Sequence, residues 1–421
     1  MALDEARRDE RTRVAVPAPR PGGTPEDPST AAPMISVRDL TKVYAPNTET
    51  RRWPRKAETA DATPAVDNIS FDVKRGELFV IMGLSGSGKS TVLRMLNRLI
   101  DPTSGTVLVD GTDMGAAAPR ALRSVRNRTI TMVFQHFAIF PHRTVLENAA
   151  YGLQVRGVDA KERNARATEA LERVGLGEWT DVLPSALSGG MRQRVGLARA
   201  LATDAEVLLM DEPYSALDPL IRRDMQDLLL ELQEQLRKTI VFVTHDLNEA
   251  MRLGDRIMVM RDGHIVQIGT GPEILSSPAD DYVAEFVSDV DRSRVVTAET
   301  VMRDPLIAIG PGDAPKDALE RIANAEAHGA YVIGEDGTLL GAISAERLAS
   351  ATKRGATSLE GLDLSEFKQV HRDTLLMGLC PLVGQCSVPL GVVDESNRLV
   401  GVISRAALLT ALAGEGSNHD A

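Results

Sequence analysis

Residues 83–91 read GLSGSGKST, directly after the apolar run ELFVIMG (77–83) and running into the helical stretch TVLRMLNRL (91–99). A buried strand that ends in a glycine-rich turn and opens a helix gathers unpaired first-turn N–H groups and the positive end of a helix dipole around an anion. The stretch fits G-x-x-x-x-G-K-[ST], whose glycines let the backbone approach phosphate oxygens. Gly83, Leu84, Ser85, Gly86, Ser87, Gly88, Lys89, Ser90 and Thr91 are therefore the candidate phosphate-binding residues. Lys89 supplies a point charge to the outer phosphates and Ser90 can hold Mg²⁺.

Two further apolar runs end in polar residues, EVLLMDE (206–212) and TIVFVTHD (239–246), as buried strands do when their C-terminal ends carry a site. With short β-branched runs alternating with longer helical periods from Met34 onward, they predict a largely parallel sheet covered by helices. Asp211 stands where a second Mg²⁺ contact is needed, and Glu212 can polarise a water for in-line attack on a γ-phosphate. Paired acids there, taken alone, are equally explained as a solvated strand end. His245 can reach the γ-phosphate from the other side, although a lone histidine is more often structural. Between these runs, Asp218 is a plausible N-cap with Pro219 at the first helical position, and Ile221, Met225, Leu228, Leu232 and Leu236 recur as a core-packing stripe. A second glycine-marked helix start, LSGGMRQ (187–193), raises the question of whose phosphate it holds.

The 421 residues predict two or three domains, with the composition of a soluble globular protein and no apolar run long enough to cross a bilayer. A net charge of −11 argues against a general nucleic-acid binder. Cys380 and Cys386 fit neither a disulfide framework nor a common zinc pattern. Residues 1–33, rich in Arg, Pro and acids and without the apolar core of a signal peptide, read as a disordered cytoplasmic tail or as the product of a misassigned start codon. Residues 45–65 read as a polar surface insertion. Near the C-terminus the chain repeats itself. YVIGEDGTLLGAISAERLAS from Tyr331 matches GVVDESNRLVGVISRAALLT from Gly391, which predicts two packed copies of a strand–turn–strand–helix unit.

In this order, GLSGSGKST, Gln135 in MVFQHF, LSGGMRQ, VLLMDEP, SALD (215–218) and THD (244–246) resemble the nucleotide-binding subunit of ATP-binding-cassette (ABC) transporters, over residues 34 to about 275. The resemblance implies ATP and Mg²⁺ as cofactors and Glu212, His245 and Gln135 as catalytic residues, with Gln135 joining Ser90 and Asp211 at the metal. It implies that Tyr44 stacks on adenine, an exposed loop tyrosine being the alternative. It further implies a head-to-tail dimer. In that dimer Leu187, Ser188, Gly189, Gly190 and Gln193 close over the partner's ATP, with Ser215, Ala216, Leu217 and Asp218 along the same interface.

The stretches LNRLIDPTSG, PHRTVLENAAYGL, SALDPLIRRDMQDLL and THDLNEAMRLGDRIMVM are similar to the ATPases of glycine betaine/proline-type uptake systems, and the repeat resembles a tandem pair of cystathionine-β-synthase-type (CBS) domains. Pro213 and Tyr214 depart from that subgroup, which more often has Ala and Phe there. The expected fold is α/β: a P-loop NTPase ABC ATPase core with a helical subdomain, then an α/β CBS pair. The expected boundaries are a tail to residue 33, ATPase 34–278, linker 279–296, CBS units 297–353 and 361–413, and a tail 414–421. The implied partners are a separate integral membrane permease docking on residues 137–153, a periplasmic or extracellular substrate-binding protein or domain, and a second copy of the chain. Anionic lipid, or an adenine or cyclic dinucleotide, is expected at the CBS pair, with no nucleic acid. The expected location is peripheral, on the cytoplasmic face of the plasma membrane.

Overall fold

The computed structural model describes residues 32–44, 63–135, 138–288, 290–305, 307–325, 327, 329–362, 364, 368–383 and 389–413. The N-terminal tail before residue 32, most of the 45–65 insertion, Cys386 and the 414–421 tail lie outside the described residues.

Two sheets build the first part. A four-stranded antiparallel sheet has the order β2-β1-β4-β5, from β1 (Ile35–Lys42), β2 (Val66–Val73), β4 (Ser104–Val109) and β5 (Thr112–Asp113). A six-stranded sheet has the order β10-β9-β3-β8-β7-β6, from β3 (Leu78–Met82), β6 (Ile130–Val133), β7 (Val207–Asp211), β8 (Thr239–Thr244), β9 (Arg256–Arg261) and β10 (His264–Gly269). Every residue of β3, β7 and β8 is buried, which is why they read as unbroken apolar runs: both faces of a parallel sheet are covered. One face packs with α1 (Lys89–Leu96) and the antiparallel sheet, together with Val125 of α2 (Pro119–Arg128). The other packs with α3 (Val145–Val155), α4 (Ala160–Arg173), α5 (Gly189–Ala202), α6 (Pro219–Leu236) and α7 (Leu247–Leu253).

Several helices begin where the sequence supplies caps. Thr144 and Glu147 form a reciprocal capping box at α3, which contributes about 1 kcal/mol. Asp218 accepts from the Ile221 amide at 3.0 Å with Pro219 at the first turn of α6, and Met225 and Leu232 of its predicted stripe are buried, as expected. Buried Asn148 donates to the carbonyls of Phe140, Arg143 and Thr144 and accepts from the Phe140 amide, fixing the loop before α3.

The chain continues through α8 (Gly271–Ser276), α9 (Asp281–Val287) and α10 (Ala298–Val301) into two small sheets. The first holds β11 (Ala308–Ile309), β12 (Gly329–Ile333) and β13 (Leu339–Ser344) with α11 (Pro315–Asn324) and α12 (Ala345–Lys353). The second holds β14 (Gln369–His371), β15 (Leu390–Val393) and β16 (Leu399–Ile403) with α13 (Leu376–Val383) and α14 (Arg405–Ala413). In both, the first strand pair is parallel and the second antiparallel, with a register break at the equivalent steps Val332/Ile333 and Val392/Val393. The repeat is thus a repeat of structure. The two turns even exchange hydrogen bonds, Leu339 N to Asn397 O at 3.0 Å and Leu399 N to Gly337 O at 3.3 Å.

The cores differ. The first unit has its own cluster, around Ile309, Ala330, Ile343 and Leu348. The second joins the large ATPase cluster, Leu376, Leu379, Val392 and Ile403 being continuous with Val283, Val287, Val290 and Val296. Moreover, residues 297–303, expected at the start of the first unit, pair with the second: Ala298 N donates to Thr374 O, and Arg303 and Val402 exchange both backbone bonds.

Candidate functional site

Strand register assembles the site. Met82 lies opposite Thr244, and Asp211 opposite Val243, so β3, β8 and β7 end together and deliver the phosphate loop, His245 and Glu212 to one edge of the sheet. Gly88 caps α1 at φ +100, and a Cβ there would stand 2.5 Å from the Ala65 carbonyl oxygen, so only glycine fits.

Lys89 is 4% exposed, and its Nζ donates to the carbonyls of Gly83 and Leu84, each at 2.8 Å. Burial pushes the ammonium below its usual pKa, opposed by Glu212 and Asp211. The Ser87 hydroxyl is buried with no hydrogen-bond partner, a donor available inside the loop. Ser90 Oγ donates to Asp211 Oδ1 at 2.8 Å, and Arg94 holds the other oxygen at 3.0 Å. Among the described residues no cluster of three or more His, Cys, Asp or Glu could hold a metal alone. A hydroxyl beside a single carboxylate suits a hard cation that completes its shell with phosphate oxygens and water.

Glu212 follows at φ +43, a left-handed backbone that costs of order 1 kcal/mol for a non-glycine residue and collects at functional sites. Its amide donates to Val243 O at 3.1 Å, and His245 Nδ1 lies 3.1 Å from its Oε2. Gln135 Nε2 donates to Ser215 Oγ at 3.3 Å, which itself donates to Glu212 O at 3.1 Å. The structure therefore brings Lys89, Ser90, Asp211, Glu212, His245, Gln135 and Ser215 together.

The remaining expected residues lie elsewhere. Tyr44 is 49% exposed after β1, with Lys42 Nζ 5.2 Å from its ring, and no ring contact or hydrogen bond ties it to the loop among the described residues. Ser188 caps α5 by accepting from the Met191 amide at 3.3 Å and stays exposed. Leu187 and Gly190 are buried, and a Cβ on Gly190 would collide with Ile221 of α6. Gln193 is fully buried with both amide atoms unpartnered, so it faces the inside of this chain and not an outer surface. Ala216 and Asp218 are exposed and Leu217 is buried.

Two residues escaped the reading of the sequence. Arg94 binds the Asp211 carboxylate, and its spacing of four from Ser90 on one helical face was the available signal. Glu249, 5% exposed, accepts from Thr244 at 2.5 Å and from Gln226 at 3.1 Å, bracing the His245 turn against α6. Burial raises its carboxyl above the usual range. Of the expected docking face, Phe137 lies outside the described residues. Phe140 packs on Tyr151 with ring centroids 4.5 Å apart, and Arg143 stands over both rings.

Comparison with known proteins agrees with this geometry. The family described as ABC transporter matches residues 66–215, and the family described as CBS domain matches residues 298–354. The chain is 45% identical to a glycine betaine/carnitine transport ATP-binding protein of Listeria monocytogenes, over 92% of this chain and 99% of the relative. It is 49% identical to a glycine betaine transport ATP-binding protein of Bacillus subtilis, over 90% and 92%. It is 48% identical to a glycine betaine/proline betaine transport system ATP-binding protein of Escherichia coli, over 84% and 89%. Among solved structures, the dimeric structure of MJ0796, a bacterial ABC transporter cassette, matches with TM-score 0.50 at 35% identity, over 56% of this chain and 98% of that one. On these grounds the chain belongs to the ABC transporter family of ATP-binding proteins, in the group of the glycine betaine transport ATP-binding proteins.

Proposed function

We propose that the chain is the ATP-hydrolysing subunit of an importer for glycine betaine/proline-type osmoprotectants. The observation that carries this reading is that its likeness to betaine-transport relatives runs past the cassette through most of the C-terminal pair. The chain would work peripherally on the cytoplasmic face of the membrane, as a head-to-tail dimer beneath an integral permease supplied by an external substrate-binding protein or domain. Among the described residues, no helix is long and apolar enough to cross a membrane, which fits a permease carried on another chain.

In this reading the loop amides, Lys89 and the Ser87 hydroxyl hold the ATP phosphates. Ser90 and Asp211, with Gln135, hold Mg²⁺, which when bound neutralises charge building on the phosphate oxygens. Arg94 keeps the Asp211 carboxylate aimed at Ser90. Glu212 takes the proton of the attacking water, and His245, 3.1 Å away, orients that carboxylate. Ser188 and the first-turn amides of α5 would close over the ATP held by the partner. The C-terminal pair would regulate turnover, through ionic strength at anionic lipid or through an adenine or cyclic dinucleotide.

The test is ATPase activity of the complete complex in anionic-lipid vesicles, titrated with KCl and with glycine betaine. Stimulation by both is expected. Indifference to betaine together with stimulation by choline or trimethylamine N-oxide would move the solute to the amines named for more distant relatives, which are 35% and 42% identical.

A further inference from the structure

Helix α9 follows the ATPase core in sequence and stays packed against it. Its Tyr282 and Phe286 stack with ring centroids 5.8 Å apart and 19° between planes, and the Arg261 guanidinium lies 4.7 Å from the Tyr282 ring. This aromatic pair closes one side of a cavity of about 720 Å³ whose other walls include Leu84, Ser85 and Ser87 of the phosphate loop and His245. The Tyr282 hydroxyl is shielded from solvent beside the Leu84 backbone, without a well-formed hydrogen bond, and its ring is held by Phe286 and Arg261. The neighbouring face of the same helix, about 100° round, is packed into the core. Val283 and Val287 are 0% and 3% exposed and belong to the cluster that holds Leu376 and Leu379 of the second C-terminal unit. Residues 296–299 extend that link through backbone bonds, Leu376 N to Val296 O at 2.9 Å and Glu299 N to Arg372 O at 2.9 Å.

A two-turn helix gripped along its valine face by a packed core, with the adjoining aromatic face set beside a glycine-rich loop, transmits displacement, because packed cores shift between discrete arrangements and do not deform continuously. We propose that α9 is a strut through which the second C-terminal unit acts on the phosphate loop, with Tyr282 as the residue that positions the loop. The proposal rests on reading that loop as the ATP site, and it names the route by which the C-terminal pair reaches it.

The test uses the full-length chain and a non-hydrolysable MgATP analogue, with affinity measured by calorimetry. Tyr282→Ala is expected to weaken binding about fivefold or more, whereas Tyr282→Phe, which keeps the ring between Arg261 and Phe286, stays within about twofold. In the complete complex Tyr282→Ala raises KM for ATP and leaves kcat nearly unchanged. If Tyr282→Ala folds poorly, Phe286→Leu removes the stack at similar volume and carries the same expectation. Wild-type chain that fails to bind the analogue would overturn the site itself; wild-type binding with Tyr282→Ala equal to it would overturn the strut alone. For transmission, hydrogen exchange is followed in Leu376→Ala. Faster exchange at residues 83–88 is expected, and acceleration confined to residues 369–413 would sink the coupling.

Discussion

Two helices of this chain begin with glycines, α1 after the phosphate loop and α5 after the LSGG segment, and they are furnished very differently. At α1 a buried lysine, the Ser90 hydroxyl, Asp211, Glu212 and His245 converge from three strand ends. At α5 the first turn carries no acid, and the start is a serine cap with Gly190 pressed onto α6. Both present the positive end of a helix to an anion, but only the first is surrounded by groups that can do chemistry on one. On the proposed reading, the contrast makes the second start half of a site, whose reactive half comes from another copy of the chain.

The largest effect that would break this contrast is at Glu212. Glu212→Gln should lower steady-state phosphate release by the complete complex about a thousandfold, with nucleotide still bound. A loss of under about tenfold would remove Glu212 as the base and leave the first helix start no more reactive than the second. Next comes Ser188→Arg. It should lower hydrolysis in the complex about a hundredfold while changing MgADP affinity of the isolated chain less than twofold, if the cap serves the partner's nucleotide as proposed. Equal losses in both measurements would mean that the two helix starts serve one site within one chain. The smallest effect is at Tyr214, which lies between the two regions, buried, its hydroxyl donating to Met225 O at 3.3 Å. Tyr214→Phe should cost about 1 kcal/mol of stability by thermal unfolding and leave turnover unchanged. A change in turnover would show that the two regions communicate through the loop between Glu212 and α6.

What the sequence made legible was what it kept contiguous. The phosphate loop, the acids after β7 and the histidine after β8 each announce themselves within a few residues, and a parallel sheet with a known edge then has one way to unite them. Three central strands of the six-stranded sheet were visible for the same reason, as β3, β7 and β8 are buried on both faces. Gln193 shows the opposite case. Its place in a continuous motif suggests a shared role with Ser188, but it lies three residues from buried Gly190, on the same inward helical face. Arg94, Glu249 and Tyr282 were hidden because their partners are 117, 5 and roughly 200 residues away and are met only through tertiary packing or a helix turn. The repeat was legible in its register but not in its pairing, since residues 297–303 join the second sheet through backbone bonds that no side-chain pattern records.

The continuity of the core through Val283, Val287, Val290 and Val296 also bears on how such a gene can be rearranged. A crossover that exchanged the tail after residue 290 would join valines shaped for one C-terminal unit to another, and would leave an apolar stripe poorly covered. Exchange is better tolerated in the exposed turn at residues 277–279, ahead of α9 and its cap, so that the helix is inherited with the unit it grips. New C-terminal tails should therefore be acquired together with their own version of this helix.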